Sequence, residues 1–211
     1  MMSTKIRSQQ NKALWKAALC GRVDHIDFWL KKGADVNSTH AFGDTKGHTS
    51  LMAASFNAQT EAIKLLLTAG ADINAQDEEG RTALMMTLIP LQTGNENMIR
   101  RHMKAMELLL DAGANINVQD ESGYTPLMKA SEFGCLEIVK FLLEKGADIE
   151  TKNTFGDTAL THASSCLDGT EALRVLRDCV RKKAVETGKD HTIFPNEILV
   201  SSPQGGGRNI S

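Results

Sequence analysis

A chain of 211 residues, 41% of them hydrophobic, is long enough to bury a sizeable core as one or two ordinary domains. Twenty-four lysines and arginines against 26 aspartates and glutamates leave a formal net charge of -2. That balance excludes a global field drawing the protein onto nucleic acid or an anionic membrane and leaves recognition to local patches.

No stretch is apolar for the eighteen or so residues of a membrane span, and Met1 to Asn11 lacks the apolar run of a signal peptide. The expected location is cytoplasmic, with secretion as an effector by a route needing no signal left open. Cys20, Cys135, Cys166 and Cys179 lie scattered without CxxC pairs, as free packing thiols do in a reducing compartment.

Residues 1-10 read as a polar arm. From residue 11 the chain repeats itself, and a period of this order overrides any element-by-element reading. A first unit, 11-43, ends in Phe28-Trp-Leu-Lys-Lys-Gly-Ala-Asp35. The second, 44-76, opens on Gly47-His-Thr-Ser-Leu51 and closes on Leu65-Leu-Leu-Thr-Ala-Gly-Ala-Asp72. The third, 77-119, runs from Gly80-Arg-Thr-Ala-Leu84 to Leu108-Leu-Leu-Asp-Ala-Gly-Ala-Asn115. The fourth, 120-152, runs from Gly123-Tyr-Thr-Pro-Leu127 to Phe141-Leu-Leu-Glu-Lys-Gly-Ala-Asp148, and the fifth, 153-182, opens on Gly156-Asp-Thr-Ala-Leu160. The opening glycines stand 33, 43 and 33 residues apart.

Each unit reads as two helices. Thr49, Thr82, Thr125 and Thr158 are placed to cap the first helix, and Pro126 sits where a missing N-H costs nothing. Small residues such as Ala53-Ala54-Ser55 allow neighbouring units to approach. The second helix carries a stripe, Ile138, Val139, Phe141, Leu142 and Leu143, wide enough to need cover on both sides. Leu66, Leu109 and Leu142 are expected between units. Gly80, Gly123 and Gly156 mark turn tips leading to the following helix.

The Gly-x-Thr-Pro-Leu-x-x-Ala and Leu-Leu-x-x-Gly-Ala-Asp-Ile-Asn signatures, in order and over roughly residues 11-182, resemble the ankyrin repeat family. The resemblance implies an all-α repeat solenoid, a stack of helix-turn-helix units joined by extended β-turn fingers, five units with degenerate first and last caps. Where the family carries His after Thr-Pro-Leu, this chain has Met52, Met85, Met128 and Thr161, and Met is expected to fill that space. The terminal units look like solubilising caps: Trp15 takes the His position in the first, and Arg177, followed by Arg181, Lys182 and Lys183, breaks the leucine run in the last.

Two insertions break the period. The turn Thr39 to His48 is four residues too long, and about ten extra residues lie near Ile89 to Met98, where Pro90 and Gly94 suggest an exposed loop dispensable for folding. That loop is either a contact surface or a tolerated excursion. In the tail, 183-211, Thr192 to Val200 is apolar enough to dock on the last unit or to bind a partner, against which a frayed tail is the preferred reading, and Ser201 to Ser211 reads as disordered.

No catalytic, cofactor or metal site emerges. His162 and Cys166 stand four apart without further ligands, Asp77-Glu78-Glu79 reads as a solvated turn, and Arg100 to Lys104 reads as solvated helix-end charge. Asn37, Asn74 and Asn117 are placed to satisfy backbone groups of adjacent turns. The resemblance also brings a hydroxylation pattern, Leu66 to Asn74, against which the backbone role is preferred.

The resemblance implies a monomeric module that binds a folded protein, rather than nucleic acid or membrane, through the concave face of turns and first helices. Positions there that the framework leaves free to vary are His48, Ala53, Phe56, Glu79, Arg81, Met86, Ser122, Tyr124, Lys129, Phe133, Phe155, Asp157 and His162. The rival reading is a dedicated inhibitor, immunity, chaperone or host-directed effector protein that covers a partner enzyme.

Overall fold

Threonine turns the chain into the first helix of the second and fourth units. The computed structural model describes residues 2-42, 45-93, 95-165 and 170-187. Thr49 Oγ1 accepts the Met52 N-H at 3.2 Å and Thr125 Oγ1 that of Met128 at 3.2 Å, opening α3 (Ser50–Phe56) and α7 (Pro126–Glu132). The Met52 sulfur accepts the Thr49 N-H at 3.4 Å, so the residue in the family's His position completes a reciprocal cap.

Two expected caps differ. Thr82 makes no such bond, and its hydroxyl is buried without a partner among the described residues. Thr158 meets the Thr161 N-H only at 3.5 Å.

The described residues form ten α-helices, one hairpin and a 3-10 turn. The first unit is α1 (Met2–Leu19) with α2 (Val23–Lys31). The overlong turn that follows is a hairpin, β1 (His40–Phe42) antiparallel to β2 (Thr45–His48). Then come α3 and α4 (Thr60–Thr68), α5 (Ala83–Met86) and α6 (Glu96–Asp111), α7 and α8 (Leu136–Glu144), and α9 (Ala159–Ser165) and α10 (Thr170–Thr187). First helices pack in one layer, α1 on α3, α3 on α5 and α7 on α9, and second helices in another, α2 on α4, α4 on α6 and α8 on α10. The chain is an all-α repeat solenoid.

Burial follows the repeat. Leu66, Leu109 and Leu142 are fully buried in the continuous core, with Ile63, Met106 and Ile138 beside them. Met52, Met85 and Met128 are buried too, filling the space expected of them. Covering both sides of each second helix removes apolar area from water at about 25 cal/mol per Å². A single unit could not do this alone.

Asparagine amides link the loops between units. Asn37, Asn74 and Asn117 each accept, through Oδ1, the backbone N-H one unit further on, from Asp72, Asn115 and Asp148, all at 2.8 Å. The amide of Asn37 also donates to the Gly70 carbonyl at 3.2 Å.

Four expectations need correction. Residues 2-10 are not a separate arm but the start of α1, with Asn11 Oδ1 accepting the Asp35 N-H at 2.9 Å. The insertion near 89-98 is not a surface loop: Leu88 and Leu91 are buried, and Ile89, Met98 and Ile99 pack against the core. Pro90 has no N-H to continue α5, so the chain tightens into the 3-10 turn Ile89–Thr93, and α6 begins at Glu96.

The basic group of α6 needs correction only in part, since Arg100, Arg101 and Lys104 are exposed as expected. Arg101 donates to the Asn57 carbonyl of the preceding unit at 3.2 Å, and His102 is buried. Burial, reinforced by Arg101 and opposed by a hydrogen bond to the Thr87 backbone, lowers the His102 pKa. Finally, Lys183 does more than solubilise the end, because it pairs with Asp148 at 3.1 Å and Glu150 at 3.0 Å. Cys166 and the tail segments 192-200 and 201-211 lie outside the described residues.

Leu91→Ala, within the insertion, is expected to lower stability by about 2–5 kcal/mol, as is Leu109→Ala between units. Urea denaturation checks both. An unchanged midpoint for Leu91→Ala would return the insertion to the surface.

Candidate functional site

The turn fingers are shaped by one short side chain apiece. Asp77 Oδ1 accepts the N-H groups of Glu79 and Arg81, both at 2.9 Å. Asp120 does the same for Ser122 at 3.0 Å and Tyr124 at 2.8 Å, and Asn153 for Phe155 and Asp157 at 2.9 Å each. An Asp or Asn thereby folds the backbone over itself and sets the residue before the helix cap, Arg81, Tyr124 or Asp157, in the row that His48 begins. In the sequence Asp77 reads only as part of a solvated turn and Asp120 and Asn153 pass unnoticed, although all three stand three before a turn glycine.

Backbone bonds then tie finger to finger. Glu78 N-H donates to the Lys46 carbonyl at 3.1 Å, Glu121 to Glu79 at 3.0 Å and Thr154 to Ser122 at 3.1 Å. The amide of Gln76 bridges the Gly80 and Gln119 carbonyls at 2.7 and 3.1 Å, and Gln119 bridges Gly123 and Lys152 at 2.7 and 3.0 Å. The approach is close enough to demand glycine, since a Cβ on Gly80 would lie 2.6 Å from the Glu121 nitrogen.

In the second and third units the row is occupied by a buried charge network. The Asp77 side chain is fully buried, with Arg81 Nε at 2.9 Å and His48 Nε2 at 3.2 Å from its second oxygen. Asp77 is thus no solvated turn. Burial pushes its pKa up, but hydrogen bonds from His48 and Arg81 outweigh that and hold it down at about 2.

His48, 3% exposed, is therefore a structural partner of Asp77 and not a contact position. Met86 and Ala53 are also buried, because neighbouring first helices approach too closely for them to face outward. Arg81 is held between Asp77 and Glu79, the latter at 2.7 Å, so removing it would disturb the finger as well as any contact. Phe56 packs partly buried against the core.

The fourth and fifth units differ. The Lys129 ammonium lies 3.8 Å from the Tyr124 ring centroid and 3.8 Å from the Asp120 carboxylate, and the His162 ring stands 4.9 Å from Tyr124. The Asn153 amide and His162 Nε2 are 3.3 Å apart. Burial first, then the carboxylates of Glu132, Asp157 and Asp120, raise the Tyr124 pKa. Phe133 is part-buried against the core, Ser122 is exposed, Asp157 half-buried, and Phe155 is 74% exposed.

Among the described residues no group of three or more His, Cys, Asp or Glu could hold a metal ion, and no helix is long and apolar enough to cross a membrane.

Acid tests the buried network. Because the Asp77 carboxyl titrates lower in the folded chain than its ordinary 3.8, its contribution is fully present above that value and is lost as pH falls towards about 2. Asp77→Asn is expected to lower stability at neutral pH and to flatten this acid limb. Denaturation midpoints across that range read it, and an acid limb as steep as the parent's would contradict the assignment.

A family model for ankyrin repeats matches the chain in three overlapping copies, over residues 14–101, 51–153 and 97–187. Human mitochondrial disaggregase is 32% identical over 103 residues, covering 47% of this chain and 14% of that protein. The mouse inactive serine/threonine-protein kinase TEX14 is 32% identical over 106 residues, 47% of this chain and 7% of its own length. The Drosophila melanogaster neurogenic locus Notch protein is 49% identical over 55 residues, 26% of this chain and 2% of its own length. The chain thus corresponds to a small part of each relative. Ankyrin repeats are typically non-catalytic and generally mediate protein-protein interaction. With the repeat signatures, the two helical layers and the linked fingers all in register, this chain belongs to the ankyrin repeat family.

Proposed function

We propose that the chain is a non-enzymatic adaptor or scaffold module that holds a folded partner protein against the concave face formed by its fingers and first helices. The observation that carries this reading is the contrast along the finger row. Where the second and third units spend their variable positions on a buried network, the fourth and fifth offer Tyr124, Lys129, Phe155 and Asp157 beyond what the framework uses. Tyrosine, a large apolar ring and flanking charges are the residue types that dominate interface energy. A frame fixed by backbone bonds binds with little ordering cost.

Charge favours a protein over nucleic acid. Beyond Asp77, which is buried against Arg81, the fingers of the third to fifth units carry Glu78, Glu79, Asp120, Glu121 and Asp157, a negative excess that would repel a phosphate backbone. The module acts as a monomer, in the cytoplasm, and needs no cofactor.

Affinity capture from the native cell with mass spectrometry supplies the partner. Tyr124→Ala and Phe155→Ala are then expected each to weaken binding by more than about 1 kcal/mol, the exposed Phe155 with little change in melting temperature, while Lys32→Ala on the outer side leaves both binding and stability unchanged. Calorimetric titration measures this, and parent-like affinity in both groove variants would place the interface elsewhere.

A further inference from the structure

Each finger before the last is covered by its successor. Lys46, Glu79 and Ser122 give their carbonyls to the next finger, and the glycines after them are pressed by that finger's backbone. A Cβ on Gly47, Gly80 or Gly123 would lie 3.0, 2.6 or 2.8 Å from it. On the fifth finger the same places are held by Phe155 and Gly156. A Cβ on Gly156 would meet nothing within 4 Å, and the Phe155 ring stands 74% exposed.

The side-chain ladders stop at the same boundary. Lys152 stands where Gln76 and Gln119 bridge adjacent fingers, and Glu150 stands where Asn37, Asn74 and Asn117 link adjacent loops. Glu150 is engaged instead by Lys183 at 3.0 Å. The last finger thus keeps the backbone template of the stack but lacks the amides that would seat another unit of the same kind.

We propose that this open finger edge docks an extended segment of a partner protein, one that sets a backbone N-H on the Phe155 carbonyl and places a large apolar side chain, with Lys or Arg beside it, against the Phe155 ring. The inference rests on the protein-binding reading above and narrows it to one place and one chemistry. Backbone pairing to an exposed edge supplies affinity without sequence demands, and the side chains supply the choice. The Gly156 carbonyl is a second acceptor, since its counterparts on Gly80 and Gly123 take the Gln76 and Gln119 amides and Lys152 replaces that glutamine.

The basic preference follows from charge. Asp157 on this finger, Asp120 and Glu121 on the one before and Glu132 of α7 outnumber Lys152 at the foot of the finger and Lys129, which is already drawn over Tyr124 and towards Asp120. Those carboxylates act together at Tyr124, where Glu132, Asp157 and Asp120 all add to the upward push on the phenol. A segment carrying its own cation relieves that excess, while an acidic one adds to it.

The test pans a displayed library of short random peptides on the full chain. Enriched sequences are expected to join Lys or Arg to a neighbouring large apolar residue. The best of them, as a synthetic peptide, should lose about tenfold or more in affinity to Phe155→Ser, and again when one of its backbone amides is N-methylated. The ring is exposed, so the variant's melting temperature should match the parent's.

Enrichment of acidic or purely polar sequences, no enrichment at all, or binding indifferent to Phe155→Ser would overturn the edge. Binding lost in Tyr124→Ala but not in Phe155→Ser also overturns it, while leaving the concave-face reading standing. Displacement of the selected peptide by a synthetic peptide of residues 188-211 would assign the edge to the chain's own tail and likewise overturn the proposal.

Discussion

One asparagine amide at each of three successive boundaries joins a loop to the loop of the next unit. The Oδ1 of Asn37, Asn74 and Asn117 takes a backbone N-H that the helix-ending turn leaves without an intrahelical partner. An amide held between two loops fixes the step from unit to unit, and that step brings the second-helix leucines into cover on both sides. Apolar burial supplies the driving force, but it is non-directional. The amides and the finger-to-finger backbone bonds convert it into one register.

The fingers inherit that register and use it differently along the stack. Asp77, Asp120 and Asn153 fold their turns in the same way through one oxygen. The second oxygen or the amide is then free to vary in partner. At Asp77 it gathers His48 and Arg81 into a buried network, which makes the middle of the row a structural joint. At Asn153 the amide meets His162, and the row there carries aromatic rings in place of buried charge. The same frame thus yields a sealed stretch and an open one, and this division carries the functional reading.

Much of this was legible in the chain. The repeated Gly-x-Thr and Leu-Leu-x-x-Gly-Ala-Asp strings gave the unit, the order and the buried leucines, because those positions are dictated by packing that recurs. The inserted segment was misread, since Pro90 and Gly94 signal a turn but say nothing of where Leu88 and Leu91 point. Burial of a loop depends on the neighbour that receives it. His48 and Met86 were misread as contact positions for a related reason. A residue free to vary between units can still be enclosed when its neighbour in space, Asp77 for His48, lies in the next unit and needs a partner.

The account depends most on the claim that single amides couple the units, and Asn74→Ala tests it most directly. Equilibrium urea unfolding followed both by far-ultraviolet circular dichroism and by tryptophan emission reports on coupling, because Trp15 and Trp29 both lie in the first unit. The account predicts a lowered midpoint and two probes that no longer coincide, as the units on either side of the missing amide begin to unfold separately. Coincident transitions at the parent's midpoint would contradict it and leave apolar contact alone holding the stack in register.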